Sequence, residues 1–212
     1  MPADNGNRET VIDLLRHGEP VGGRRYRGQL DDELSERGWE QMWQAVGDGN
    51  EWQQVVTSPL QRCHAFAMAH AERHGMPVQA EPRFAEVGFG DWEGKTRAEL
   101  ELLIPGQLAR FYQDPVNNRP PGAEPLDDFV TRVRAGFDAL LSAYRGQSVL
   151  VVTHAGVIRA ILSRVLSMPS PAMYRINVAN AGMSRLVTER DRTFNLVSHG
   201  SVGINQWRGI YY

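Results

Sequence analysis

Short apolar runs alternate along the chain with amphipathic stretches and with polar segments rich in Gly and Pro. Val11–Leu15 is a compact, mostly apolar run ending in Arg16-His17-Gly18, which predicts a buried strand opening into a loop. The loop Glu19–Asp32 is rich in Gly and Arg. Ser35 then offers an N-cap, and Trp39, Met42, Trp43 and Val46 recur at helical spacing. Trp52–Thr57 predicts a second strand. Ser58 followed by Pro59 predicts a helix start, with proline at the first helical position and a run to about Arg73. His74, Gly75, Met76 and Pro77 stop that helix.

Pro82–Gly94 reads as a loop, Arg97–Gln113 as short helices, and Asp114–Pro125, with its four prolines, as a loop again. Leu126–Tyr144 places Phe129, Val133, Phe137, Leu140 and Leu141 on one helical face and is closed by Gly146. Ser148–Thr153 is the clearest buried strand, and His154–Leu166 follows directly as a helix, broken at Met168-Pro169. Ser184–Glu189 and Thr193–Ser198 are weaker strand candidates. Strand and helix alternate, so the fold class is α/β with a mostly parallel sheet. Such sheets gather their chemistry at the carboxyl ends of the strands. Arg16 and His17, the segment Ser58–Arg62, and His154 each follow a predicted strand and meet at that rim.

Composition narrows the possibilities. At 212 residues the chain is long enough for one domain that needs no disulfide or metal to fold. The 23 Lys and Arg nearly balance the 25 Asp and Glu, for a net charge of -2. The overall field therefore favours neither nucleic acid nor an anionic membrane, and anion affinity must come from a local cluster. Cys63 is the single cysteine and cannot form an internal bridge, which fits a reducing compartment. The polar N-terminus has no apolar signal region, and the longest apolar stretches are interrupted by charge well short of a membrane span. The expectation is a cytoplasmic protein with a frayed tail over residues 1–10 and one domain over 11–212.

Several motifs point nowhere. Gly88, Gly90 and Gly94 miss both the P-loop and the dinucleotide spacing. His70 and His74 stand four apart on a predicted helix, but no third metal ligand accompanies them. His64 and His199 carry no pattern.

The residues that carry chemistry form an ordered set: Arg16-His17-Gly18, Ser58-Pro-Leu-Gln-Arg62, Glu86 ahead of Phe89-Gly-Asp-Trp-Glu-Gly94, and Thr153-His154-Ala-Gly156. Together they resemble the histidine phosphatase superfamily, over Val11 to Val197. The resemblance implies a phosphoglycerate-mutase-like three-layer α/β/α sandwich with a lid-like insertion around residues 95–125. It implies that His17 is the nucleophile and becomes a phosphohistidine. Arg16 and Arg62 would bind the phosphoryl oxygens, with His154 as a third cationic or hydrogen-bonding partner. Glu86 would protonate the leaving oxygen and then activate water. A loose phosphoryl transition state spreads charge over three oxygens, which forked guanidiniums match. The scheme calls for no metal and no cofactor. Arg25, Arg27 and Gln29, in the loop after the nucleophile, are expected to touch substrate, whereas Gly23 stands where the family often has an asparagine.

Val87-Gly88 after Glu86, and isolated arginines at 97, 110 and 119, separate this chain from the mutase branch and favour a simple phosphatase. The chain length, the Phe-Gly-Asp-Trp-Glu-Gly block, and the segment from Met168-Pro169 to Leu186 resemble the alpha-ribazole phosphatases of cobalamin biosynthesis. That suggests alpha-ribazole 5′-phosphate as substrate, with Trp92, Phe111 and Tyr112 either stacking on its base or packing the interior. The alternatives are a broad-specificity, sugar-phosphate or phosphoglycerate phosphatase and, from a different class, a phosphate-binding regulatory module without turnover. The partner in any enzyme reading is a small phosphomonoester. A homodimer edge at strands such as Ser184–Glu189, or simply the end of the sheet, are both compatible with the sequence.

Overall fold

The computed structural model describes residues 9–188 and 194–201, the side chain of residue 201 excepted. Residues 1–8, 189–193 and 202–212 lie outside that description. With them go most of the expected tail, the predicted strand ends at Glu189 and Thr193, and the aromatic segment Gln206–Tyr212. Thr10, assigned to the tail from sequence, is buried. Its amide donates to Thr188 Oγ1 at 2.8 Å and its hydroxyl accepts from the Gly146 amide at 2.9 Å.

Six strands form one sheet: β1 (Val11–Arg16), β2 (Gln54–Thr57), β3 (Val78–Ala80), β4 (Ser148–Thr153), β5 (Met183–Thr188) and β6 (Phe194–Ser201). Their order is β3-β2-β4-β1-β5-β6. The β1–β4, β2–β4 and β2–β3 pairs are parallel, whereas β5 runs antiparallel to both β1 and β6. The edges are thus β3 and β6, and β5, the sequence candidate for a dimer edge, is an interior strand.

Alternation along the strands separates two cores, as the two-residue period of a pleated strand requires. Ile12 and Leu14 of β1, with Val149 and Val151 of β4, face α5 (Leu126–Ala143) and α6 (Ala155–Val165). Leu15, Leu150 and Val152 face the opposite side, toward α1 (Glu36–Val46) and α2 (Gln61–His74). Helices cover both faces, which completes the α/β/α sandwich.

Local capping explains most element ends. The Ser35 side chain accepts from the Gly38 amide and starts α1 as expected. The second helix corrects the sequence reading, because its N-cap is Leu60 rather than Ser58. The Ser58 hydroxyl is engaged by His154 and by the Leu60 amide instead, so Ser58-Pro59 forms a turn ahead of the helix. The edge strand β3 and the 3₁₀ turns at Pro82–Phe84, Gly90–Trp92 and Ser170–Arg175 are too short for periodicity to announce them. In the insertion, α3 (Arg97–Leu103) and α4 (Gln107–Gln113) share a small core of Trp92, Leu100, Leu108 and Phe111. Trp92 and Phe111 are fully buried there, so neither is a stacking surface for a base. Tyr26 Oη, from the loop after β1, meets Tyr112 Oη of α4 at 2.9 Å.

Candidate active site

The parallel register places the predicted residues side by side. Arg16 is opposite Thr153, and Thr57 opposite Val152, so the turns leaving β1, β2 and β4 open together at the carboxyl rim. The His17 amide donates to the Thr153 carbonyl at 2.9 Å, and the Ser58 amide to the Val152 carbonyl at 2.9 Å. His17 and His154 consequently lie with ring centroids 5.3 Å apart.

His17 is buried, and its Nδ1 lies 2.7 Å from the Gly18 carbonyl, an acceptor only. Nδ1 therefore carries the proton, leaving the Nε2 lone pair exposed to the pocket. Burial, then the positive charges of Arg16 and Arg62, pushes the His17 pKa well below that of free histidine, so the ring is neutral at neutral pH. A residue larger than glycine at 18 would run its side chain into the Gly38 carbonyl of α1, so the acceptor loop and that helix fit together only without a Cβ.

The guanidiniums are also held by backbone. Arg16 Nη1 donates to the Val178 carbonyl at 2.7 Å, and its buried Nε has no protein partner. Burial lowers its pKa to about 10, with Glu86 opposing that shift, and the group stays charged. Arg62, from the first turn of α2, is fully buried. It donates to the Leu30 and Gly28 carbonyls at 2.6 and 2.8 Å, tying loop 19–32 to the helix, and its Nε is likewise free of protein partners. Both guanidiniums, whose charges act on His17, thus keep a buried donor that no protein group uses, a set able to hold an anion.

His154 is completely buried at the start of α6. Its Nε2 lies 2.6 Å from Ser58 Oγ, and Cys63 Sγ approaches both ring nitrogens, at 3.6 and 3.7 Å. Burial first, then Arg62, His17 and Arg16, depresses its pKa well below the ordinary value. Of the two roles the sequence left open, the resting protein fits the hydrogen-bonding one rather than the cationic one.

Glu86 reaches the same space. Its Oε1 accepts from the Val87 amide at 3.0 Å and its Oε2 from the Gly156 amide at 3.2 Å. The two neighbouring carboxylates are otherwise engaged. Glu81 pairs with Arg83, and Glu93 clamps the amides of Phe89 and Gln29.

The expected substrate contacts of loop 19–32 fare differently. Arg27 is buried, donating to Asp32 at 2.9 Å and to the Val21 carbonyl at 2.6 Å, so its fork is taken up in shaping the loop. Arg25 folds back onto the carbonyls of Gly22 and Gly94. Gln29 Nε2 approaches the Glu86 carbonyl at 3.5 Å, on the rim of the pocket.

Sequence reasoning missed the residues that hold Glu86 in place. Arg132 of α5 donates to the carbonyls of Arg83, Ala85 and Glu86 and pairs with Glu124 at 2.6 Å, while Glu124 also accepts from the Gly88 amide. The one available signal was an arginine on an otherwise apolar helix face. Arg119, read from the sequence as an isolated arginine, donates to the Gly88 carbonyl at 3.1 Å, two residues from Glu86.

Residues 12–201 match the model of the histidine phosphatase superfamily (branch 1), and the chain belongs to that family. Within it, the chain is 38% identical over 180 residues to the Bifunctional protein Rv2228c of Mycobacterium tuberculosis, covering 82% of this chain and 49% of that protein. It thus spans about half the length of that relative. The fold is similar to that of mycobacterial glucosyl-3-phosphoglycerate phosphatase (TM-score 0.79, 27% identity, 92% of this chain and 100% of the other). It is equally similar to the alpha-ribazole phosphatase of Shigella flexneri (TM-score 0.78, 28% identity, 92% and 98%). The chain is thus a member of this superfamily with a phosphoglycerate-mutase-like fold. No helix among the described residues is long and apolar enough to cross a membrane.

Proposed function

We propose that this phosphatase hydrolyses a small cytoplasmic phosphomonoester through a phosphohistidine on His17, without a metal ion. The observation that carries the reading is the Nδ1 contact with the Gly18 carbonyl, which leaves Nε2 as a neutral nucleophile between Arg16 and Arg62. Nε2 attacks phosphorus, the P–O ester bond breaks, and Glu86 gives its proton to the departing alkoxide. Arg16, Arg62 and the His154 ring hold the three phosphoryl oxygens. A water molecule then loses its proton to Glu86 and attacks phosphorus from the opposite side. The N–P bond breaks, releasing inorganic phosphate and neutral His17.

Similarity to alpha-ribazole phosphatase supports alpha-ribazole 5′-phosphate as a substrate, and similarity to glucosyl-3-phosphoglycerate phosphatase supports a phosphoglycerate-type ester. The burial of Trp92 and Phe111 removes the stacking argument for the former and leaves Tyr112 as the exposed ring. A binding module without turnover would have no use for Glu86.

The test is phosphate release, with EDTA present, from both esters and from p-nitrophenyl phosphate. His17→Ala should abolish turnover and the acid-labile phosphoenzyme. Glu86→Gln should lower kcat by roughly 10²–10⁴ for the alkyl esters and less for the nitrophenyl ester, whose leaving group needs no proton. Parental turnover in His17→Ala would overturn the mechanism.

A further inference from the structure

Residues 176–182 link the 3₁₀ turn Ser170–Arg175 to β5 and wrap the two residues on which the proposed chemistry depends. The Val178 carbonyl accepts from Arg16 Nη1 at 2.7 Å and the Gly182 carbonyl from the Arg16 amide at 3.1 Å. The Ala181 amide donates to the His17 carbonyl at 3.2 Å. Ala181 itself has φ 51°, a left-handed backbone that an alanine keeps only when its surroundings hold it there. A turn under such constraint keeps its shape only while its ends are fixed.

One side chain joins those ends. His199 stands opposite Ser184 in the ladder between β6 and β5. Its Nε2 lies 2.8 Å from the Asn177 carbonyl and its Nδ1 lies 2.7 Å from Ser184 Oγ. A carbonyl only accepts, so Nε2 carries the hydrogen and Nδ1 accepts from the Ser184 hydroxyl. Ser184 is buried and gives the ring a fixed anchor, while the other edge of the ring grips the residue before Val178. Arg159 of α6 holds the Ile176 carbonyl at 2.8 Å, so the two carbonyls preceding Val178 are tied to two different elements. From His199 to the Arg16 guanidinium the path is one hydrogen bond, one residue of backbone and a second hydrogen bond. His199 is exposed and belongs to none of the three apolar clusters, so packing does not account for its ring.

We propose that His199 is a positioning residue for phosphate binding, fixing the Asn177 carbonyl and thereby the Val178 carbonyl that aims the Arg16 guanidinium into the pocket. The role of Arg16 in this proposal rests on the phosphatase reading above. His199 touches no reacting atom, and its effect travels through Arg16.

Three substitutions separate hydrogen bonding from bulk. His199→Phe keeps a ring on the strand and removes both bonds. His199→Gln places an amide nitrogen near the former Nε2 and still donates to Asn177, whereas the shorter amide of His199→Asn reaches only toward Ser184. Binding of inorganic phosphate by calorimetry and kcat/KM for p-nitrophenyl phosphate are measured beside the melting temperature. His199→Phe and His199→Asn should weaken phosphate binding and lower kcat/KM by about three- to tenfold, the worth of one hydrogen bond, with little change in melting temperature. His199→Gln should stay within about twofold of the parent on both readouts, as rescue by the retained donor requires. In an Arg16→Gln background the effect of His199→Phe on phosphate binding should shrink below about twofold, as coupling through Arg16 requires. Parental phosphate affinity in His199→Phe, equal losses in His199→Gln and His199→Phe, or an undiminished loss in the Arg16→Gln background would overturn the proposal. Phosphate affinities that follow the expected order in a protein that turns over no ester would uphold it and overturn the phosphatase reading instead.

Discussion

Gly156 shows how little room the site leaves. A methyl group at this position would overlap Glu86 Oε1, and Phe129 closes the other side. Gly156 sits in the first turn of α6, where alanine is the better helix former. Gly156→Ala should therefore leave the melting temperature within a few degrees while lowering kcat on the order of 10², the usual cost of displacing a reacting group by about an ångström. Equal losses of stability and activity would show that the contact is merely structural. At this scale much of the site was legible in the sequence. Arg16 ends β1, His17 and Glu86 lie in loops, and Arg62 and His154 stand at helix starts, where the neighbouring motifs gave their positions away. The structural ties of Arg27 were not legible, because a guanidinium in a Gly-rich loop looks free until Asp32 and the Val21 carbonyl are seen beside it. The Ser58–His154 contact was illegible, since it joins residues nearly a hundred positions apart.

Among the elements, α5 acts as a splint for the segment that carries Glu86. That segment has no ladder of its own, and the Arg132 fork supplies what a strand neighbour otherwise would, through the carbonyls of Arg83, Ala85 and Glu86. Arg132→Met should keep the helix but strand those carbonyls and Glu124. Denaturant unfolding should show a loss of about 2–4 kcal/mol, with kcat falling further than KM rises. A KM effect alone would mean that the segment holds its shape without the arginine. Long elements with clean periodicity, α1, α5 and β4, were readable in advance. Three-residue β3 and the 3₁₀ turns were not, because they exist through contacts with the sheet rather than through local preference.

The whole molecule depends on histidines kept uncharged. His70 lies between Phe66, Trp43 and Trp52 on the far face of the sheet, fully buried, with neither ring nitrogen bonded. Burial, and behind it His74 and Arg73, pushes its pKa down to about 4. The unfolded chain takes up the proton near pH 6.5 and the folded chain does not, so stability is complete above that pH. It declines between pH 6.5 and 4, by on the order of 3 kcal/mol for this one group. His17 and His154 act in the same direction. His70→Phe should therefore flatten the dependence, with the largest gain at pH 5 and little at pH 8, as read from urea midpoints. An unchanged slope would assign the acid sensitivity elsewhere. The sheet order carries one more consequence, for the protein during its synthesis. Within this stretch β1 is synthesised long before its two sheet neighbours, β4 and β5. A nascent chain thus exposes Arg16 and His17 before His154, the Val178 carbonyl and the Gly156 amide that anchors Glu86 have been made. The rim that gathers these residues closes only once β4, α6 and β5 have been made, and chains that stop before them carry His17 without its surroundings.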